Sequence, residues 1–158
     1  MSMTAGIRSS EELRDFRRLP TARNVTDTLS YFAADPLVAK PGTKFFYSNW
    51  GWHLIGAVME SATGQDFEQI MNKMFSELHL NSTRLSRREV LIPHRTRPYI
   101  KTSKHVLESV AMVEDMGRPL PWLPMGGIIT GVPDLLTFSD VMIKSYKTGG
   151  NYQTFLEF

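Results

Sequence analysis

The sequence contains no cysteine, so no disulfide framework holds the fold and no thiolate serves as nucleophile or metal ligand. Metal chemistry would then rest on four histidines, His53, His79, His94 and His105. None of these pairs with another at a ligand spacing such as His-Glu-x-x-His. They read as surface or boundary residues, and neither a metal site nor a cofactor is expected. Long apolar runs are missing too. The longest, Leu54 to Met59, falls far short of the ~20 residues of a membrane-spanning helix. A formal net charge of +2 gives little long-range steering of anionic partners.

Acidic residues are scarce in one stretch. Arg84, Arg87, Arg88, Arg95, Arg97, Lys101 and Lys104 are opposed only by Glu89. Nucleic-acid binders interleave such charge with aromatics, and here Tyr99 stands alone with no recognition motif around it. The stretch reads as a solvated or anion-facing rim, and no nucleic-acid partner is expected. The first residues lack a cleavable apolar segment, and Glu11, Glu12 and Asp15 interrupt the arginines that follow, so no targeting segment is read.

At 158 residues and 42% hydrophobic content, the chain fits one domain over 1–158 with enough apolar side chain for a core. Ser9 and Glu12 make a possible capping box for a short helix through Leu13, Phe16 and Arg17, stopped by Pro20. A second helix is expected from Val25 to Ala34 with Asn24 as cap, burying Val25, Leu29, Phe32 and Ala33. Asp66 to Leu78 carries Phe67, Ile70, Met71, Met74, Phe75 and Leu78 at helical spacing, a core stripe rather than a ligand pocket. Glu108 to Trp122 reads as a loop leading into Gly126-Gly127. Thr130 is expected to cap a last helix whose inner face is Leu135, Leu136, Phe138, Ser139 and Met142, with Asp134 favouring its N-terminus.

The most informative segment is Pro41 to Trp52. Pro41-Gly42 turns the chain, Lys44 to Tyr47 is β-prone, and Asn49 can cap a helix with Trp50, Leu54, Ala57, Val58 and Ser61 on one face, stopped by Gly64. On these residues alone Tyr47 is the last aromatic of a strand or a functional phenol, and Asn49 a cap or a substrate ligand.

Tyr47-Ser48-Asn49, followed by a glycine and a helix closing in Thr63-Gly64, resembles the second motif of the serine β-lactamase and penicillin-binding-protein superfamily, in its class C-like branch. Asp35-Pro36-Leu37, Tyr99, and Gly126-Gly127-Ile128-Ile129-Thr130 leading into Asp134-Leu135 continue that likeness. It extends over about residues 4–146 and is nearest to the animal mitochondrial serine β-lactamase-like branch. Residues 1–7 look like that family's Leu-Ser-His-Thr-Ser-Gly-Ile segment with Met3 in the histidine's place, so the chain is expected to begin inside a domain.

The resemblance implies a mainly helical α+β chain with short β segments near Tyr47 and Arg95 to Ile100. That is the central helical part of a β-lactamase/transpeptidase-like fold with an incomplete sheet. It implies acyl-enzyme chemistry on amide or ester carbonyls, a peptide-like substrate and a mitochondrial location. It makes Tyr47 the catalytic proton shuttle, with nearby lysines favouring its phenolate, and Asn49, Gly126 and Gly127 the substrate-binding residues. The family's nucleophile lies in Ser-x-x-Lys, because a free hydroxyl needs an adjacent base. No serine here has lysine three positions on, and Gly-x-Ser-x-Gly is absent as well. The expectation is therefore a fragment that is itself inactive, or a non-catalytic interaction or assembly module. Lys147-Thr148-Gly149 looks like the family's third motif but follows its helix too soon, with no strand leading in, and reads as a helix exit. Phe45, Phe46, Trp50, Trp52, Trp122 and Phe138 are more large apolar groups than these short helices bury, so exposed apolar surface and self-association are expected.

Overall fold

A computed structural model describes residues 2–10, 15, 22–87, 91–96, 99–103, 105–109 and 120–147. Most of the expected first helix at Ser9 to Arg17, much of the Glu108 to Trp122 loop and the Thr148-Gly149 part of the last triplet lie outside the described residues.

Among the described residues three α-helices carry the fold: α1 (Asn49–Thr63), α2 (Phe67–Glu77) and α3 (Val132–Lys147). Four short strands accompany them there: β1 (Arg84–Leu85), β2 (Tyr99–Lys101), β3 (Leu107–Ser109) and β4 (Ile128–Ile129). They form two separate antiparallel ladders, β1 with β4 (Arg84 opposite Ile129) and β2 with β3 (Ile100 opposite Glu108). The chain is thus mainly helical with little sheet, as expected, and β2 answers the expected strand near Ile100.

α2 forms where its pattern places it. Asp66 accepts from the Gln69 amide while the Gln69 side chain accepts from the Asp66 amide, a reciprocal cap. Phe67, Met71 and Phe75 then bury one stripe, joining Val25, Ala57, Leu78, Leu80, Leu85 and Leu123 in the main core. A second cluster gathers Tyr31, Phe32, Trp50 and Trp122.

Four local expectations are corrected. The Val25 to Ala34 helix is instead a 3₁₀ turn over Thr26–Tyr31. The Thr28 and Ser30 hydroxyls donate back to the carbonyls of Val25 and Asp27, local bonds that compete with an α-ladder; Asn24 still accepts from the Asp27 amide at 2.7 Å. No strand forms at Lys44 to Tyr47, where the extended chain has one bond to a neighbour, Phe46 N–H to the Met3 carbonyl.

α1 is rotated from its expected face. Trp50, His53, Gly56 and Ala57 are buried, while Leu54 and Val58 are exposed. Close packing decides this: a Cβ on Gly56 would lie 2.9 Å from both Pro124 and Val25, so only glycine lets those two approach. Lastly, α3 turns Asp134, Phe138, Val141 and Ser145 toward the body and leaves Leu135, Leu136, Ser139 and Met142 exposed. The Asp134 carboxylate accepts from the Ser82 amide (2.8 Å) and the Thr83 hydroxyl (2.7 Å), which sets the rotation. Thr130 pairs with the Thr83 hydroxyl rather than capping.

Candidate functional site

The site is assembled on residues 2–10. Val38, Gly42 and Phe46 donate backbone N–H bonds to the carbonyls of Gly6, Thr4 and Met3, each at 2.8 Å, so the loop bearing Tyr47 lies along this stretch. Gly6 makes that approach possible: its φ is +74°, and a Cβ there would sit 2.1 Å from the Ala39 carbonyl oxygen.

Ser48, not Asn49, caps α1. Its Oγ accepts from the Gly51 amide at 3.0 Å and donates to the Arg8 carbonyl at 2.6 Å. That bond joins the helix start to the N-terminal stretch and leaves Asn49 as the first helical residue. Asn49 Nδ2 donates to Ser10 Oγ at 3.0 Å. An amide nitrogen carries two protons and its oxygen accepts, so a donor and an acceptor remain for a ligand.

Tyr47 is 51% exposed, and its hydroxyl has no hydrogen-bond partner among the described residues.

Arg8 fixes this region from below. Its guanidinium donates to Asp15 (2.7 and 3.2 Å), to Asp35 (2.6 Å) and to the carbonyls of Ser9 and Tyr31, and lies 6.0 Å from the Trp50 ring centroid. The hydrogen bond to Asp15 raises its pKa further above the ordinary arginine value, against the opposing effect of burial and with help from Asp35. Trp50 is stacked on Phe32 at 5.1 Å and meets Tyr31 and His53 edge-on. His53 is fully buried, which corrects its reading as a surface or boundary residue; burial lowers its pKa to about 4.

Gly126 and Gly127 stand on the other side of α1. Gly126 has φ +146°, and the Gly127 carbonyl accepts from the Ser86 amide at 2.6 Å. With Trp52, Ile55, Met59, Phe67 and Leu123 they line an apolar cavity of about 320 Å³. Asn49, Trp52, Gly56 and Met59 follow one another along one stripe of α1, so Asn49 heads the stripe that forms this cavity wall. Tyr47 and Asn49 do not themselves line it. The structure thus joins Asn49 to the glycine pair through α1, while Tyr47 faces solvent beside the helix start.

Sequence reasoning missed Arg8 and Asp15. Asp35 drew notice only as part of Asp35-Pro36-Leu37, and no local pattern tells a buried arginine from a solvated one. Among the described residues no group of histidine, aspartate and glutamate is placed to hold a metal ion, and no helix is long and apolar enough to cross a membrane.

Solved structures share this fold. The penicillin-binding protein from Bacillus halodurans superposes with a TM-score of 0.70 at 20% identity, over 91% of this chain and 44% of that one. The octameric penicillin-binding protein homologue from Pyrococcus abyssi gives 0.63 at 24%, over 91% of this chain and 33% of its own. A D-stereospecific amidohydrolase from Streptomyces gives 0.65 at 20%, over 87% and 43%. These likenesses establish the fold. In sequence, the mitochondrial serine β-lactamase-like protein LACTB of Mus musculus is 33% identical over 126 residues, 80% of this chain, and its Homo sapiens counterpart is 33% identical over the same length. This chain spans 22% of the length of those relatives. The β-lactamase family model matches residues 1–154, and the chain belongs to that family.

Proposed function

We propose that this chain carries the tyrosine and substrate-amide elements of a serine-hydrolase acyl-transfer site, Tyr47 and Asn49, with Gly126 and Gly127 at its edge and a peptide-like amide or ester as substrate. The observation that carries this reading is the start of α1. Tyr47 presents an unbonded hydroxyl, Asn49 retains a free donor and acceptor, and the stripe beginning at Asn49 walls an apolar cavity bounded by the glycine pair. The chemistry needs a serine activated by a base, and no Ser-x-x-Lys exists in this sequence. The chain therefore acts as a partial site, inactive by itself. The relatives' mitochondrial names support a mitochondrial location.

Titration with an N-acyl dipeptide amide, followed by the side-chain amide resonances of Asn49, tests this. Saturable shifts that vanish in Asn49→Ala, with the fold intact, support the reading; unchanged resonances at millimolar ligand sink it.

The second reading is a non-catalytic interaction or assembly module. The apolar side chains left exposed along α3 favour it.

A further inference from the structure

Three consecutive residues of the N-terminal stretch meet the start of α1. The Arg8 carbonyl accepts from Ser48 Oγ at 2.6 Å, Ser9 Oγ faces the Asn49 backbone N–H at 3.5 Å, and Ser10 Oγ accepts from Asn49 Nδ2 at 3.0 Å. The first two contacts serve the helix. Ser48 caps it, and the Asn49 N–H is one of the donors that a helix N-terminus leaves without an internal partner. The third contact satisfies no backbone group. What it fixes is the orientation of the Asn49 side-chain amide.

A primary amide fits a given space in two ways that exchange its oxygen and nitrogen, and the two offer a ligand opposite chemistry. With nitrogen toward Ser10, the end turned away is Oδ1, an acceptor. With oxygen toward Ser10, that end is Nδ2, a donor. The structure sets the nitrogen toward Ser10. The stretch that carries this hydroxyl is itself anchored: the Arg8 side chain donates to Asp15 and Asp35, and the Gly6 and Thr4 carbonyls accept from Val38 and Gly42. Ser10 and Asn49 are both half-buried, so water competes with their bond less than on an open surface.

We infer that Ser10 is a positioning residue of the Asn49 site, and that by holding Nδ2 it makes Asn49 select a ligand that offers an N–H. The inference rests on the reading of Asn49 as a substrate-binding residue, and it chooses between the two substrate classes of that reading. A peptide amide carries a proton on nitrogen where an ester has an oxygen with none to give. An ester therefore sets an acceptor against Oδ1, and sites built around a hydrogen bond reject analogues that lack it. For one ordinary hydrogen bond at a half-buried site, the expected preference for amide over ester is about three- to tenfold.

Ser10→Ala and Ser10→Thr separate this role from packing. In the unmodified chain one of the two Asn49 Nδ2 protons should exchange slowly with solvent and show a nuclear Overhauser contact to the Ser10 β-protons. Ser10→Ala should remove that protection and leave the Gly51 amide, held by Ser48, as slow as before. Ser10→Thr, which keeps the hydroxyl, should restore it. An N-acyl dipeptide amide is then compared with depsipeptides in which each backbone N–H in turn is replaced by oxygen. One replacement should weaken binding about three- to tenfold, and Ser10→Ala should erase that difference. Equal exchange of both Nδ2 protons in the unmodified chain overturns the inference, as does a preference that Ser10→Ala leaves unchanged. Binding of neither ligand overturns the hydrolase reading and the selectivity with it. Slow exchange of a single Nδ2 proton in that same chain still establishes Ser10 as the residue that orients Asn49. That measurement needs no variant, so it decides even where Ser10→Ala fails to fold.

Discussion

His53 Nδ1 lies 3.1 Å from Thr28 Oγ1, and the Thr28 proton is already given to the Val25 carbonyl. Thr28 therefore accepts, His53 carries its proton on Nδ1, and Nε2 is left unprotonated with no partner among the described residues. The ring is held neutral by burial, with a folded pKa of about 4 against 6.5 when unfolded. A group whose pKa is depressed on folding contributes stability above its unfolded value and loses it as pH falls toward the folded one. The expected loss from pH 7 to pH 4 is about 3 kcal/mol at 1.36 kcal/mol per unit. Urea midpoints across that window should fall for the unmodified chain and fall less for His53→Asn, which keeps a donor near Thr28. Equal slopes would remove His53 from the account.

Arg8 is not replaceable by lysine. One ammonium cannot span Asp15, Asp35 and the Tyr31 carbonyl as the planar guanidinium does. Arg8→Lys should cost about 2 kcal/mol, and Arg8→Ala, which takes the guanidinium away from the buried Asp15 carboxylate, about 3–5 kcal/mol. Denaturant titration gives both values, and a red shift of tryptophan emission should accompany them as Trp50 loses its cover. Arg8→Lys at full stability would show that the network is not energetically coupled.

Gly127→Ala should destabilise the chain, because a Cβ there falls 2.5 Å from Leu123 Cδ2 and 2.9 Å from its Cα. Leu123 is buried at 1% exposure and cannot yield, so overpacking of about 1–3 kcal/mol is expected. Gly126→Ala meets no atom within 4 Å and should cost less, through its positive φ alone. A thermal melt of the two variants checks the order, and the reverse ranking would refute the packing argument.

Neither a chromogenic β-lactam nor a peptide amide should be turned over above background by this chain. Loss of the nucleophile removes several orders of magnitude of acyl-transfer rate. A stoichiometric acyl adduct on any serine, seen by intact mass after exposure to a fluorophosphonate, would contradict this.

What could be read from sequence was strongly local or strongly periodic. The apolar stripe through Phe67, Met71 and Phe75 gave α2 almost to the residue, and Gly64 stops α1 with φ +68° as its position suggested. The faces of α1 and α3 were misjudged for one reason. Counting apolar residues says how wide a stripe is, but not which of two stripes a distant group will claim. His53 is drawn inward by Thr28, and Asp134 by Ser82 and Thr83, both polar contacts across long sequence separations. Asn49 was read as the cap because asparagine and serine suit that position equally well, and the Arg8 carbonyl that selects Ser48 lies 40 residues away. Tyr47 and Asn49 were legible as a pair only through the family pattern.

The segment between Arg87 and Leu120 leaves from and returns to two stretches that are joined to each other. Ser86 is tied to Gly127, β1 to β4, and Thr83 to both Thr130 and Asp134, so those two stretches are held together by bonds of their own. The entropy of closing such a loop grows only with the logarithm of its length, about 0.6 kcal/mol for each doubling. Lengthening, shortening or exchanging this segment should therefore leave the helical body standing, making it the natural place to insert a tag or reporter.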